Sequence, residues 1–141
     1  MSKVIIRFFI AVHIFFYQLS GGWVGGKVRG LNVLLLTTTG RKSGRPRTMP
    51  LGYFEHNGGY VIIASNSGSD HQPDWYYNLK SNSLAGIQIM NHRTPVRAEQ
   101  VTSEERGSLW NELIRIFPGY ADYQKRTSRE IPLIMLNPSQ D

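Results

Sequence analysis

Four cations, Arg41, Lys42, Arg45 and Arg47, fall within seven residues of the stretch TTTGRKSGRPRTMP at 37–50. Like charges this close repel one another unless an anion or water screens them. Gly40 and Gly44 let backbone N–H groups approach an anion. Ser43 adds a hydroxyl donor, and arginine grips phosphate or carboxylate through paired N–H bonds. The stretch therefore reads as an anion site. It is not a Walker loop, and no G-x-G-x-x-G fingerprint accompanies it. Nor is there a G-x-S-x-G nucleophile elbow. The Gly-Arg-Pro at 44–46 matches the core of minor-groove hooks, so nucleic acid is one alternative occupant. Strand-like flanks, a single copy and the absence of interleaved aromatics weigh against it. A solvated basic turn without a ligand is the other alternative.

The rest of the chemistry is bounded by what the 141 residues lack. With no cysteine there is no disulfide, thiolate nucleophile or iron–sulfur cluster. No two of His13, His56, His71 and His92 stand four apart as on a helical metal site, so no metal is expected. The formal charge of +6 and pI near 9.8 favour anionic partners without choosing among them.

The elements that must position the cations can be read in order. LNVLLLTTT at 31–39 is a buried strand, GRKSGRP a turn, and RTMPLGYFE a second strand. Asn57-Gly58 marks a hairpin into YVIIAS at 60–65. After the polar loop SNSGSDHQ, Pro73 opens a helix, PDWYYNLKSN. LAGIQIM and TPVRAEQV form a strand pair joined around Asn91, His92 and Arg93. Thr102 and Glu105 form a capping box for the helix SLWNELIRIF, which stops at Pro118-Gly119. YADYQKRTSR then precedes a last strand, IPLIMLN, with Pro132 near its start. Hairpin-linked strands imply an antiparallel sheet, and closure into a small barrel with covering helices removes its exposed edges.

Residues 4–19, VIIRFFIAVHIFFYQL, are dense in large apolar side chains but carry Arg7 and His13. The run is short for a membrane span of about 20 residues, and no A-x-A cleavage site follows. With Lys3, Arg7, Lys27 and Arg29 beside Phe8, Phe9, Phe15, Phe16 and Trp23, a helix lying on a membrane surface is expected. Packing on its own domain or in a dimer is one alternative, and a signal or span the other. Residues 1–30 thus read as helix and Gly-rich linker, and 31–141 as the barrel domain that carries the anion site.

Four ordered blocks, TTTGRKSGRPRTMPL, ASNSG, PDWYYNL and FPGYADYQKRTSREIPLIML, resemble the deazaflavin-dependent nitroreductase family, which uses reduced coenzyme F420. The resemblance spans residues 34–136 and implies an α+β split β-barrel of the FMN-binding kind, mainly antiparallel, with an N-terminal helix. It implies that Arg41, Lys42, Ser43 and Arg47 hold the anionic tail of the coenzyme. Thr48, Met49, Pro50, Leu51 and Gly52 would run beside the ring, with Ala64, Ser65 and Asn66 on its other side. Asp74, Trp75, Tyr76, Tyr77 and Asn78 would bring Trp75 over the ring as an aromatic wall. Tyr120 and Tyr123, three apart on a short helix, would cap the substrate end.

The cofactor supplies a hydride. Ser65 and Tyr120 are then expected to hydrogen-bond the acceptor oxygen, with water or a tyrosine hydroxyl giving the proton. Two departures from the family pattern, Asn66-Ser67 for lysine-glycine and Phe117 for tyrosine, leave the tail site intact. They weigh against nitroimidazole-type reduction more than against quinone reduction. The expected function is an F420H2-dependent reductase of quinones or similar flat, electron-poor molecules, cytoplasmic and peripheral on the membrane. An FMN- or haem-binding barrel, or a coenzyme carrier without turnover, is the alternative.

Overall fold

The computed structural model describes residues 2–28 and 30–139; Arg29 lies outside them. The elements are α1 (Lys3–Ser20), β1 (Lys27–Val28), β2 (Leu31–Thr39), β3 (Pro46–His56), β4 (Gly59–Ile63), a 3₁₀ turn (Asn66–Gly68), α2 (Asp74–Ser81), β5 (Leu84–Ile89), β6 (His92–Gln100), α3 (Ser103–Ile116), α4 (Gly119–Lys125) and β7 (Leu133–Pro138). All strand pairings are antiparallel, in the order β1-β2-β3-β4-β7-β6-β5, and β5 returns to pair with β2. Strands β2 to β7 therefore close a six-stranded split barrel, as the hairpin signals implied.

Alternation along β2 explains its continuous apolar run. Leu34 and Leu36 point into the barrel, where they meet Ile62, Ile87, Val96 and Leu136. Val33 and Leu35 point outward and are covered by Tyr17 and Ile14 of α1. A strand buried on both faces needs no polar alternation. On the opposite side Leu109 and Leu113 of α3, four apart, cover Val61, Ile63 and Leu133. Leu34, Leu36 and Leu136 have no exposed surface, and truncating any one to alanine costs about 2–5 kcal/mol.

The first hairpin turns at Asn57 (φ 49°) and Gly58 (φ 77°), as its sequence requires. The second turns earlier than expected, at Met90-Asn91, so His92 and Arg93 already belong to β6. Met90 takes a positive φ of 53°, which is uncommon for a residue with a long side chain. Its N–H bonds the Tyr17 hydroxyl at 2.9 Å and its carbonyl accepts from Gln88 Nε2 at 2.9 Å. Tertiary contacts thus hold a turn that local propensity does not select. Within the Gly-rich linker the short β1 pairs Lys27 with Asn32 and Val28 with Leu31, an element two residues long that carried no sequence signal.

Candidate cofactor and acceptor site

The cation corner is the β2–β3 turn. Gly44, at φ 71°, returns its N–H to the Gly40 carbonyl at 2.7 Å. A Cβ on Gly40 would stand 2.7 Å from Ser43 Oγ and 3.1 Å from the Arg45 carbonyl oxygen, so a side chain there would displace the Ser43 hydroxyl. Ser43 Oγ accepts from the Arg45 N–H at 3.2 Å and from Arg47 Nη2 at 3.3 Å. Arg41 has a different task. Its backbone N–H and its Nη1 both donate to Asn78 Oδ1 at 3.1 Å, and its guanidinium lies 5.2 Å from the Tyr77 ring centroid. Buried Asn78 in turn donates to Thr38 Oγ1 at 3.1 Å. Arg41 and Asn78 therefore rivet the corner to α2, and the exposed contact of Arg41 with Asp74 at 3.5 Å adds little. Among the described residues the side chains of Lys42 and Arg45 make no ion pair or hydrogen bond, and both are exposed. They are the cations left for a ligand.

From this corner β3 runs to a cavity of about 730 Å³. Alternation separates the predicted run of residues 48–52. Met49 and Leu51 pack on the interior cluster. The other parity carries Thr48, whose hydroxyl meets that of Thr37 at 2.8 Å, then Pro50 and Gly52, which line the cavity. Leu31 and Val33 of β2 complete that wall. The opposite wall is the α3–α4 junction, with Ile116, Phe117, Pro118, Gly119, Tyr120 and Tyr123, and His13 of α1 closes one side. A Cβ on Gly52 would run into the Leu31 side chain and stand 3.2 Å from the Tyr120 hydroxyl, so glycine keeps this wall open.

Tyr120 and Tyr123 meet edge to face at 5.7 Å. Burial, with a smaller contribution from Tyr123, pushes the Tyr120 hydroxyl up to about 12. It holds its proton and serves as a hydrogen-bond donor.

The structure separates the remaining predicted residues. Trp75 is 5% exposed and lies in the barrel core with Leu79 and Ala64, not in the cavity wall. The helix spacing of 75, 78 and 79 turns that face of α2 inward. Tyr76 sends its hydroxyl to Gln100 Oε1 at 2.9 Å. Ser65 and Asn66 sit in a loop that does not line the cavity. That loop is organised by Arg129, a residue with no local sequence signal. Its guanidinium donates to the carbonyls of Ala64 (3.2 Å), Ser65 (2.9 Å) and Ser69 (2.9 Å) and to Gln72 Oε1 (2.8 Å). Left-handed backbone at Asn66, Ser67 and Gly68 bends the loop against α4. His13 was also missed as a site residue; its only trace in the sequence is its position four before Tyr17 on one helix face. Among the described residues no three His, Asp or Glu side chains converge as a metal site.

Comparison with known proteins gives the family of the chain. The family model described as F420H(2)-dependent quinone reductase matches residues 10–138. The F420H(2)-dependent quinone reductase Rv1261c of Mycobacterium tuberculosis (strain ATCC 25618 / H37Rv) is 36% identical over 135 residues, covering 90% of this chain and 88% of that protein. A solved F420-H2 dependent reductase, FDR-A, superposes with a TM-score of 0.68 at 38% identity, over 74% of this chain and 93% of the other. A second solved chain, described as a domain-swapped dimer, gives a TM-score of 0.72 at 33% identity over 90% of this chain and 93% of the other. By the extent of the family match and the identity to these relatives, the chain belongs to the F420H(2)-dependent quinone reductase family.

Proposed function

We propose that the cation corner and the cavity beside Tyr120 are the two ends of one site, where hydride passes from reduced coenzyme F420 to a quinone. The protein is an oxidoreductase of a family whose cofactor is reduced F420. One observation carries the assignment of the site. The corner and the cavity lie along the same strand, Arg47 three residues from Pro50, which is about 10 Å at roughly 3.3 Å per residue. A flat ring joined to an anionic tail through a short polar linker needs that spacing. The donor set suits such a group: free Lys42 and Arg45, Ser43 and Arg47 for the anion, and for a ring a cavity in which Leu31, Val33, Pro50 and Phe117 stand beside the polar groups of His13, Tyr120 and Tyr123.

When bound, the deazaflavin supplies the hydride. The residues of the chain bind and orient. Lys42, Ser43, Arg45 and Arg47 hold the tail, Thr48 the linker, and Pro50 and Gly52 the ring edge. Arg41 and Asn78 fix the corner, while Asp74, Tyr76 and Tyr77 build the α2 side. Ser65 and Asn66 lie outside the cavity, and only the resemblance gives them a place beside the cofactor. Tyr120, edge to face with Tyr123, donates a hydrogen bond to the acceptor oxygen as negative charge develops there. Phe117 brings no hydroxyl, so nitro compounds are secondary acceptors.

The N-terminal helix extends the reading. Residues 13, 14 and 17 face the barrel, while Phe8, Phe9, Phe15, Phe16, Leu19 and, beyond the helix, Trp23 are exposed, Trp23 by 85%. An apolar surface of this size on a basic protein suits peripheral contact with an anionic membrane. Such contact would bring the cavity, whose lining includes His13 of α1, close to lipid-soluble quinones. The protein then works in the cytoplasm, on the inner face of the membrane.

Mixing the protein with reduced F420 and menadione, and following the absorbance of the oxidised deazaflavin, tests turnover. Lys42→Glu with Arg45→Glu tests the corner: cofactor affinity falls at least about tenfold and loses its salt dependence. Unchanged affinity removes the corner from the site. Deleting residues 1–20 abolishes flotation with anionic liposomes, and unchanged flotation removes the helix from the membrane argument.

A further inference from the structure

We infer that His13 of α1 delivers the proton that completes quinone reduction. This rests on the reading of the Tyr120 cavity as the acceptor site. Hydride transfer to a quinone moves two electrons and one hydrogen, and leaves a hydroquinone monoanion. One proton is still needed. The cavity offers three side chains that carry an exchangeable proton: Tyr120, Tyr123 and His13. Burial pushes the Tyr120 hydroxyl up to about 12, which makes it a poorer acid than the hydroquinone it would protonate and keeps it a hydrogen-bond donor. Imidazole is the side chain suited to proton exchange near neutrality.

The surroundings of His13 are built around its ring. Its Nε2 lies 2.8 Å from the carbonyl oxygen of Gly25. A carbonyl only accepts, so Nε2 carries a hydrogen and the contact fixes the ring. Gly25 sits at φ 87°, and a Cβ there would fall 2.6 Å from His13 Cδ2 and 2.7 Å from Nε2. The turn after α1 thus admits the imidazole because residue 25 has no side chain. With Nε2 engaged, Nδ1 is the nitrogen that exchanges a proton. In the imidazolium form the Nδ1–H bond breaks, an O–H bond forms on the hydroquinone anion, and a neutral ring remains. His13 is half-buried, so solvent returns its proton between turnovers.

The test compares two quinones in the full-length enzyme. Menadione yields a weakly acidic hydroquinone whose anion needs a proton, whereas a halogenated benzoquinone yields a stabilised anion that leaves without one. His13→Gln keeps a donor for the Gly25 carbonyl but cannot relay a proton. Its turnover with menadione falls about 10²-fold, the usual size of a general-acid contribution. Turnover with the haloquinone falls less than about threefold, and cofactor affinity does not change. In His13→Ala, added imidazole restores part of the menadione rate. Equal losses with both quinones, or no loss with either, overturn the assignment. Leu31→Trp, which fills the cavity, separates the two readings. If it raises KM for both quinones while His13→Gln is silent, only the proton donor is wrong. If it leaves KM unchanged, the acceptor site itself is misplaced and the role of His13 falls with it.

Discussion

Replacing Tyr17 by phenylalanine isolates what holds α1 on the barrel. Tyr17 is the buried residue of that 18-residue helix, and its side chain has no exposed surface. Its hydroxyl stands 3.1 Å from the Val33 carbonyl, 3.0 Å from the Gln88 carbonyl and 2.9 Å from the Met90 nitrogen. One hydroxyl proton serves one carbonyl at a time, and the oxygen accepts from the Met90 N–H. Phenylalanine fills almost the same volume, so the loss is polar. An O–H···O and an N–H···O bond disappear, and the Met90 amide loses its acceptor. With about 1 kcal/mol for a net hydrogen bond and about 1 kcal/mol or more for the orphaned donor, docking of α1 weakens by about 2 kcal/mol. That is roughly a 30-fold change in the docking equilibrium. Amide hydrogen exchange reads it directly: protection at Met90 falls by that factor, while Ile62 and Ile134 in the barrel keep theirs. KM for a quinone rises, because His13 lies one turn away on the same helix, and cofactor affinity stays unchanged. Unaltered protection at Met90, or an equal loss throughout the barrel, refutes the reasoning.

Three further outcomes follow from the same contacts. Burial raises Tyr17, and raises Tyr53 and Tyr120 to about 12, so above pH ~10 the unfolded chain releases protons that the folded chain keeps. Stability is complete below about pH 10 and declines as the pH rises towards about 12; urea midpoints near neutrality and near pH ~11 measure the decline, and equal midpoints contradict it. Gly52→Ala forces the Leu31 side chain aside, costing about 1–3 kcal/mol of stability and raising quinone KM about tenfold; steady-state kinetics with a thermal melt checks both. Arg129→Met removes the donor shared by three carbonyls and Gln72, of which the Ser65 carbonyl keeps the Gly68 N–H, and destabilises the protein by about 2–4 kcal/mol. Arg129→Lys recovers little of this, because an ammonium lacks the planar fork.

Local patterns made much of the architecture legible. Asn57-Gly58, Thr102 with its bond to the Glu105 amide, and the apolar run of β2 each specify their element through short-range geometry. The turn at Met90-Asn91 was misplaced because it depends on Tyr17, 73 residues away. The cation cluster was visible as a charge pattern, yet its division of labour was not. Nothing local distinguishes Arg41, which is bound to Asn78, from Lys42, which is free. Leu51 was expected beside the ring through its backbone, and Met49, Ala64 and Trp75 beside it too; that strand and helix parity turns all four side chains into the core was not legible in the sequence.

The sequence by itself determined the element types, the antiparallel hairpins and the concentration of positive charge at one turn. Each is a property of neighbouring residues and their backbone preferences. Only the tertiary structure decided that β5 closes on β2, that α1 supplies His13 to a cavity walled by Tyr120, and that Arg129 gathers the carbonyls of a distant loop. Those arrangements join groups far apart along the chain. Their energy comes from burying shared surface and satisfying backbone groups that no single segment can satisfy alone.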